Sequence, residues 1–366
     1  MFKNIILLLF VIYSTHSQAL LEFEDAVNPE LVTSARALAM GNAYMSKVDD
    51  GWSAFYNPAG LGTVRGLQFH LTNIHLETNS GFLDITSDGA FTDSLSKYQD
   101  AYVPGELRNL HADNPGHTSH SRFQLFPNMT YRGITLGYMY TKQNRARLKT
   151  IDDDFEISER VDHGPVMSLS ASLFGGIVKF GATAILLNRI QLQKDFAPSE
   201  TTDIDKELDY TKGTMTHLTA GTRITLPYFM LPTFSMVVRN SSNSGWYDEE
   251  RSGPPPKIPQ TVDYSFSLTP ALGRTFRMHL EIGRKDAGDR YDTVPTSRKT
   301  VGGIEFDYMR KMFVRFGFGD GWGSGGVGVR NKSFAFDLTT YAIEGSEDGY
   351  REDEDRRYVM SISSGF

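Results

Sequence analysis

The sequence predicts an all-β protein: a transmembrane antiparallel β-barrel of about fourteen strands, with an N-terminal hatch of short helix and loop lying in its lumen. Three observations predict the barrel. From residue 66 onward, apolar residues alternate with small or polar ones at period two; the connections between these runs sort by parity into long and short; and the chain closes on an aromatic residue after a last alternating run.

The first nineteen residues, MFKNIILLLFVIYSTHSQA, set Lys3 ahead of an apolar run from Ile5 to Tyr13, with the small residues Ser17 and Ala19 on either side of Gln18. That order is a secretory signal peptide cut after Ala19. The run is too short to span a membrane as a helix, which takes about 20 residues. No other long apolar stretch follows, so a helical membrane protein is excluded. The 366 residues include no Cys, which excludes a disulfide scaffold, and a formal charge of -7 supplies no basic footprint for nucleic acid. Residues 20–64 then form the hatch and residues 65–366 the barrel.

The strands declare themselves by their two faces. In FRMHLEIGRK, Phe276, Met278, Leu280 and Ile282 share one side, while Arg277, His279, Glu281 and Gly283 share the other. VDYSFSL divides Val262, Tyr264, Phe266 and Leu268 from Asp263, Ser265 and Ser267, and GIEFDY divides Ile304, Phe306 and Tyr308 from Gly303, Glu305 and Asp307. A soluble barrel turns the apolar face inward and a membrane barrel turns it to lipid, so the connections decide between them.

Fourteen segments are expected, at 66–77, 121–132, 134–146, 157–174, 177–193, 213–226, 232–240, 259–269, 273–285, 298–308, 312–319, 323–330, 333–343 and 356–366. Long connections at 195–212, 241–258, 286–297 and 344–355 alternate with short ones at 227–231, 270–272, 309–311 and 331–332; the short 320–322 is the exception on the long side. Short periplasmic turns and long extracellular loops are the asymmetry of an outer-membrane barrel, which places the chain in the outer membrane with lipid around it. The terminal RRYVMSISSGF, ending at Phe366, looks like the signature read by the barrel assembly machinery.

The stretch SARALAMGNAYMSKVDDGWSAFYNPAGLG, from Ser34 to Gly62, resembles the hatch of the FadL-like family of long-chain fatty-acid transporters and of its PorV-type relatives in secretion systems. Arg36, the Met40-Gly41-Asn42-Ala43 step, the Asp49-Asp50 pair and the Asn57-Pro58-Ala59-Gly60 turn carry the likeness, and PPPKIPQTVDYSFSLTPAL and GGIEFDYMRKMFVRFGF extend it. Residues 78–160 show little of it. The resemblance implies a plug inside a fourteen-strand barrel.

Physics asks for a plug as well. Fourteen strands enclose more space than their own side chains fill. Segment 33–47, rich in Ala, Ser and Gly, reads as a short helix with Thr33 or Ser34 as its cap. Arg36, Lys47, Asp49 and Asp50 need partners in the lumen, and the inward register offers Arg223, Asp263, Glu281, Glu305, Arg315 and Asp337. The Asn57-Pro58 turn then ends the helix and delivers the chain to the first strand at Leu67.

Other chemistry is sparse. GFGDGWGSGGVGVRN reads as a hairpin, since no helix follows to cradle a phosphate. His111, His117 and His120, with Asp113, read as part of a solvated loop rather than a metal site, and the acidic runs 152–156 and 347–357 read as loop tips. No catalytic set, metal or cofactor is expected, so the chain is not read as an enzyme.

The function implied by the resemblance is passive uptake of a hydrophobic small molecule such as a long-chain fatty acid, in a hatch pocket lined by Met40, Trp52, Phe55 and Tyr56. The alternative is a PorV-like accessory whose long loops hold an exported protein partner, and a third reading is an ordinary porin-like barrel.

Overall fold

The computed structural model describes residues 23, 26–86, 97, 100–247, 253–331, 333–346 and 349–365. The signal segment 1–19 and Phe366 lie outside them. The strands run β1 Leu67–Asn79, β2 Thr118–Leu125, β3 Asn128–Tyr131, β4 Ile134–Arg147, β5 Phe155–Leu173, β6 Val178–Phe196, β7 Tyr210–Thr225 and β8 Thr233–Arg239. They continue as β9 Thr261–Leu268, β10 Phe276–Arg284, β11 Thr300–Tyr308, β12 Met312–Gly319, β13 Trp322–Arg330, β14 Phe334–Glu344 and β15 Glu354–Gly365. Each pairs antiparallel with its neighbours, and β15 pairs with β1 from His70↔Gly365 to Asn79↔Arg357. The sheet is therefore closed.

Fifteen segments make fourteen staves, because β2 and β3 both sit between β1 and β4. The sequence reading drew one strand over 121–132. Pro127 has no N–H to give to a ladder, and the chain breaks there. Phe126 turns into the interior and is fully buried, while its carbonyl accepts from Asn73 Nδ2 at 3.2 Å and Asn128 Nδ2 at 2.9 Å.

The register matches the alternation. Arg223, Asp263, Glu281, Glu305 and Arg315 are buried toward the lumen, whereas Ile282 is 59% exposed and Phe316 54% exposed on the outer wall. Phe306 lies on that wall too, its ring stacked on Phe276 at 6.0 Å. Phe316→Arg, in the middle of β12, should therefore destabilise the barrel by about 2 to 4 kcal/mol, measured as urea-dependent folding into lipid vesicles. An unchanged midpoint would mean that the lipid-facing register is the opposite one.

A sheet closed on itself has no edge from which to unzip. The protein should keep a compact mobility in SDS until it is boiled, and identical mobility before and after heating would argue against a closed barrel.

β4 to β7 run 14 to 19 residues, longer than the 9 to 11 or so needed to cross the membrane. Their surplus rises on the long-loop side and carries a cap. The first long connection holds helices α3 (Ser80–Thr86) and α4 (Pro104–Asp113), whose Phe82, Ile85, Leu107 and Leu110 share a buried cluster with Phe155, Ile157, Leu192 and Phe196. Phe155 thus corrects the reading of 152–156 as a solvated tip. So does Glu156, which is buried and takes Arg147 Nη2 at 2.7 Å.

Candidate functional site: the lumenal hatch

The hatch fills the lumen with very little regular structure. The expected helix over 33–47 reduces to α1, Ala35–Leu38, followed later by α2, Ser53–Tyr56, and a 3-10 turn, Pro58–Thr63. The reason is local. Gly41 and Asn42 take φ of 62° and 65°, which turns the chain out of a right-handed helix within one turn of α1. Ser34 occupies the N-cap position, yet its side chain caps nothing; its N–H donates to the Tyr56 hydroxyl at 3.1 Å, and Thr33 N–H goes to Gln124 Oε1 at 2.8 Å. Asn57 does cap: its Oδ1 accepts from Ala59 N–H at 3.1 Å, with Pro58 at the first position of the 3-10 turn. β1 then starts at Leu67 as expected.

Charge holds the hatch to the wall. Arg36 grips Glu305 of β11 with both arms, Nε to Oε2 at 2.7 Å and Nη2 to Oε1 at 2.8 Å. Its Nη1 donates to the Tyr44 hydroxyl at 2.7 Å and to Asp49 at 3.1 Å. Lys47 Nζ stands 3.9 Å from Glu305. Glu281 accepts from Ser46 N–H at 2.9 Å, and Arg223 donates to the carbonyls of Ser46 and Val48. Of the six inward residues anticipated, Arg223, Glu281 and Glu305 thus touch the hatch. Arg315 and Asp337 stand one step behind, Arg315 bridging Glu305 at 2.8 Å and Asp337 at 2.5 Å. Asp263 acts through Arg239, which reaches the Phe55 carbonyl at 2.6 Å.

Glu30 was missed by the sequence reading. It is buried and receives Arg239 and Lys285, each at 2.7 Å, and Asn42 Nδ2 at 2.7 Å. Burial pushes its carboxyl up, and Lys285 and Arg239 more than offset that, leaving it below the usual range. A Glu ahead of the first recognisable motif gave no signal of this role.

Shape holds the hatch as firmly as charge. Wall glycines open sockets for it: a Cβ on Gly303, Gly317 or Gly319 would overlap the Met40 or Gly41 backbone, one on Gly181 the backbone of Pro58 and Ala59, and one on Gly221 the Asn57 side chain. Gly41 has no room either, because the Phe318 backbone lies against it, and Gly60 sits within the hatch against Val48 and Ser53. The 317–331 segment is the expected hairpin of β12 and β13, and within it Gly317 and Gly319 are the positions that admit the hatch backbone.

The four residues expected to line a pocket do come together. Met40, Phe55 and Tyr56 are buried in one cluster with Tyr44, Phe126, Met139 and Val166, and Trp52 packs against it. Phe55 meets Phe126 edge-on at 4.8 Å, and Trp52 lies 5.7 Å from the same ring. Of the four, Trp52 reaches a cavity of about 210 Å³ at the short-turn end, between the hatch and the wall from β13 to β1. Arg36, Asp50, His70, Arg330 and Asp337 also line it.

Burial and then the neighbouring Asp49 raise the Asp50 carboxyl, against the pull of Arg330 and Arg36. A group raised in this way favours the docked hatch while protonated and loses that contribution as pH climbs through its value. Asp50→Asn keeps an oxygen for the Trp52 N–H, which Asp50 accepts at 3.1 Å. The variant should hold the hatch at neutral pH at least as well as the parent, while the parent gains protection on mild acidification. Limited proteolysis of the hatch measures both.

The three histidines read as part of a solvated loop disperse, and two of them are buried, His111 on α4 and His120 on β2. His120 bonds Glu77 at 2.7 Å, His111 bonds Ser119 at 2.9 Å and His117 stands 3.6 Å from Asp84. Among the described residues no group of three or more His, Cys, Asp or Glu is placed to hold a metal. Glu77 instead centres a buried polar knot with His75, His120 and Tyr341 on the β1, β2 and β14 wall.

The fold and this site define a class: an outer-membrane type of β-barrel whose lumen is plugged by its own N-terminal segment. No protein-family model matches the sequence, and no curated protein matches it. Among solved structures the chain is similar to the P. putida toluene transporter TodX, at 11% identity and a TM-score of 0.48, covering 90% of this chain and 97% of that one. It is similar to a Pseudomonas aeruginosa FadL homologue at 8% identity and a TM-score of 0.28, over 91% and 98% of the two chains. CdiB from Acinetobacter baumannii matches at 12% identity and a TM-score of 0.37, over 83% of this chain; the match spans 60% of CdiB's own length.

Proposed function

We propose that the protein passes small apolar molecules across the outer membrane beside a fixed hatch, with Trp52 at the edge of the route. The observation that carries this reading is the asymmetry of the hatch seat. Along β6, β11 and β12 the hatch backbone rests in glycine sockets, whereas on the side of β13 and β14 it is held by hydroxyls, Ser324 to Gly41 and Ala39 and Thr339 to Ala35, and at the short-turn end a cavity of about 210 Å³ opens between it and β13, β14, β15 and β1. Movement on the first side meets backbone. On the second it meets side chains, with the aromatic cluster of Trp52, Phe55 and Phe126 behind them.

The test is uptake of a labelled long-chain fatty acid by cells carrying the protein. Trp52→Ala should weaken uptake by removing aromatic area, and Ser363→Trp, which fills the cavity from β15, should abolish it. Uptake indifferent to both variants, or none above that of cells lacking the protein, would sink the reading.

The fixed seat of the hatch and the helical cap on the first long loop favour a second reading, the PorV-like accessory. In that case a defined exported protein should bind the intact barrel and be lost when residues 80–113 are removed, with no fatty-acid uptake in either form.

A further inference from the structure

We infer that the short-turn end of the barrel is a docking surface for an anionic phospholipid leaflet, with apolar turn tips that enter it and a basic arc that selects its headgroups. The six hairpin connections on that side, at 132–133, 174–177, 226–232, 269–275, 309–311 and 331–333, contain Arg132, Arg274, Arg310, Lys311 and Lys332 and neither Asp nor Glu. The long connections hold the acid instead, as at 152–154 and from Asp203 to Asp209. Carboxylates do stand at the short-turn end, but inside the lumen. Asp49 takes Arg36 at 3.1 Å, Asp50 lies 3.9 Å from Arg330, Asp337 takes Arg315 at 2.5 Å, and Asp307 is buried and accepts the Arg310 N–H at 2.7 Å. The side chains of Arg274, Arg310 and Lys311 are exposed and form no hydrogen bond or ion pair among the described residues.

The same end presents the most exposed aromatic side chains among the described residues: Phe229 at 79%, Phe174 at 77% and Tyr228 at 70%. Turn chemistry asks for none of them. Phe174 takes a φ of 52° although Gly175 and Gly176 follow it, and Met230 and Leu231 take 70° and 47°, a region that suits Gly or Asn. Bulky apolar residues stand here against the preference of the backbone, and apolar area presented in this way marks an interaction surface.

The tips and the cations belong to one surface. Thr225 N–H donates to the Ile177 carbonyl at 2.8 Å, Thr269 N–H to Met230 at 2.6 Å, Met309 N–H to Thr275 at 2.7 Å and Arg330 N–H to Lys311 at 2.8 Å, which ties consecutive turns into a continuous rim. Directly above it the outer wall carries Leu173, Ile224, Phe234 and Met312, all exposed, so the apolar tips prolong the lipid-facing surface. That continuity and the sign of the charge together name the occupant. Aromatic rings settle at the level of lipid headgroups, and neighbouring Arg and Lys reach anionic phosphates there. An acidic protein would match the charge but not the continuity with the wall. The inference stands apart from the uptake reading, since neither the tips nor Arg274, Arg310 and Lys311 line the hatch cavity.

The chain has no Cys, so a single introduced one can carry a probe. The full-length mature Phe229→Cys protein, labelled with bimane, is reconstituted in phosphatidylcholine vesicles in which a minor share of the lipid has brominated acyl chains. Bromine quenches a label that enters the leaflet. The label should be quenched, and brominated phosphatidylglycerol should quench it about twofold more than brominated phosphatidylcholine at equal mole fraction, a preference that added salt weakens. A label at Ile151→Cys, on an exposed long-loop tip, should not be quenched. Adding Arg274→Gln, Arg310→Gln and Lys311→Gln to Phe229→Cys should keep the quenching by phosphatidylcholine and lose the preference, with the heat-shift gel reporting that each variant is folded. No quenching at position 229, or as much at position 151, overturns the docking surface and leaves the tips to a protein partner. Equal quenching by the two lipids, or a preference that survives the three added substitutions, overturns the basic arc. Failure of fatty-acid uptake with the lipid preference intact would remove the hatch reading and leave this surface standing.

Discussion

Deletion of residues 20–64 is expected to leave a folded barrel that conducts ions freely, where the intact protein conducts poorly. The wall does not need the hatch to satisfy its backbone. Every strand from β1 to β15 has ladder partners on both sides, and the β1–β15 pairing closes the ring. What the hatch supplies is volume, a counter-charge for Glu305, and backbone hydrogen-bond partners for Glu281 and Arg223. With the hatch gone, water enters and solvates those groups at little cost, because the burial that made them need partners has gone too. The measurement is conductance in a planar bilayer, beside the heat-shift of the same sample on an SDS gel. A closed deletion variant would mean that the barrel wall collapses inward, and a conducting parent would mean that the hatch does not seal.

Arg36→Ala is expected to free the hatch while the wall stays intact. The substitution leaves the Glu305 carboxylate, 1% exposed, with Arg315 at 2.8 Å and Lys47 at 3.9 Å but without its two-armed partner. It also strips the Tyr44 hydroxyl and Asp49 of a donor. Removing one member of a buried pair typically costs about 3 to 5 kcal/mol. Set against hatch docking, that loss should appear as rapid proteolysis within residues 26–64 and as intermittent channel openings. Arg36→Lys should fall between, since an ammonium offers no planar fork to the carboxylate. If the alanine variant stays closed and resistant, the glycine sockets hold the hatch without help from charge.

Much of this architecture was legible from residue types because a membrane barrel writes its two faces in alternation. Glu305 and Phe306 sit on opposite faces for no reason but the pleat, and the lipid forces Phe306 out. The hatch motif was legible for a different reason. Its Gly41, Asn42, Asn57 and Pro58 are backbone-shaping residues, and each does in the structure what its chemistry allows.

Three things were hidden. The break at Phe126-Pro127 lay inside a run that alternates well, and a lone Pro was outweighed by periodicity. The first long loop hides its helices because α4 is only weakly amphipathic, its apolar contacts being supplied by β4, β5 and β6 from distant sequence. Glu30 pairs with residues more than 200 positions away, and no local pattern encodes such a partner. The wall glycines were visible on the inward face, but their purpose needed the hatch atoms beside them.

Those glycines make the hatch a part that is not interchangeable. A lumen lined by charges would accept any insert with roughly complementary side chains, as a solvent accepts solutes. A wall that receives Met40 and Gly41 at Gly303, Gly317 and Gly319, and Pro58 and Ala59 at Gly181, selects by the contour of the main chain, and Gly221 adds a fit to the Asn57 side chain. A hatch transplanted from another barrel would therefore seat only where the host wall is hollow at the same five places. Conversely, one methyl group added to the wall at Gly317 would discriminate against this hatch more sharply than many changes within the hatch itself.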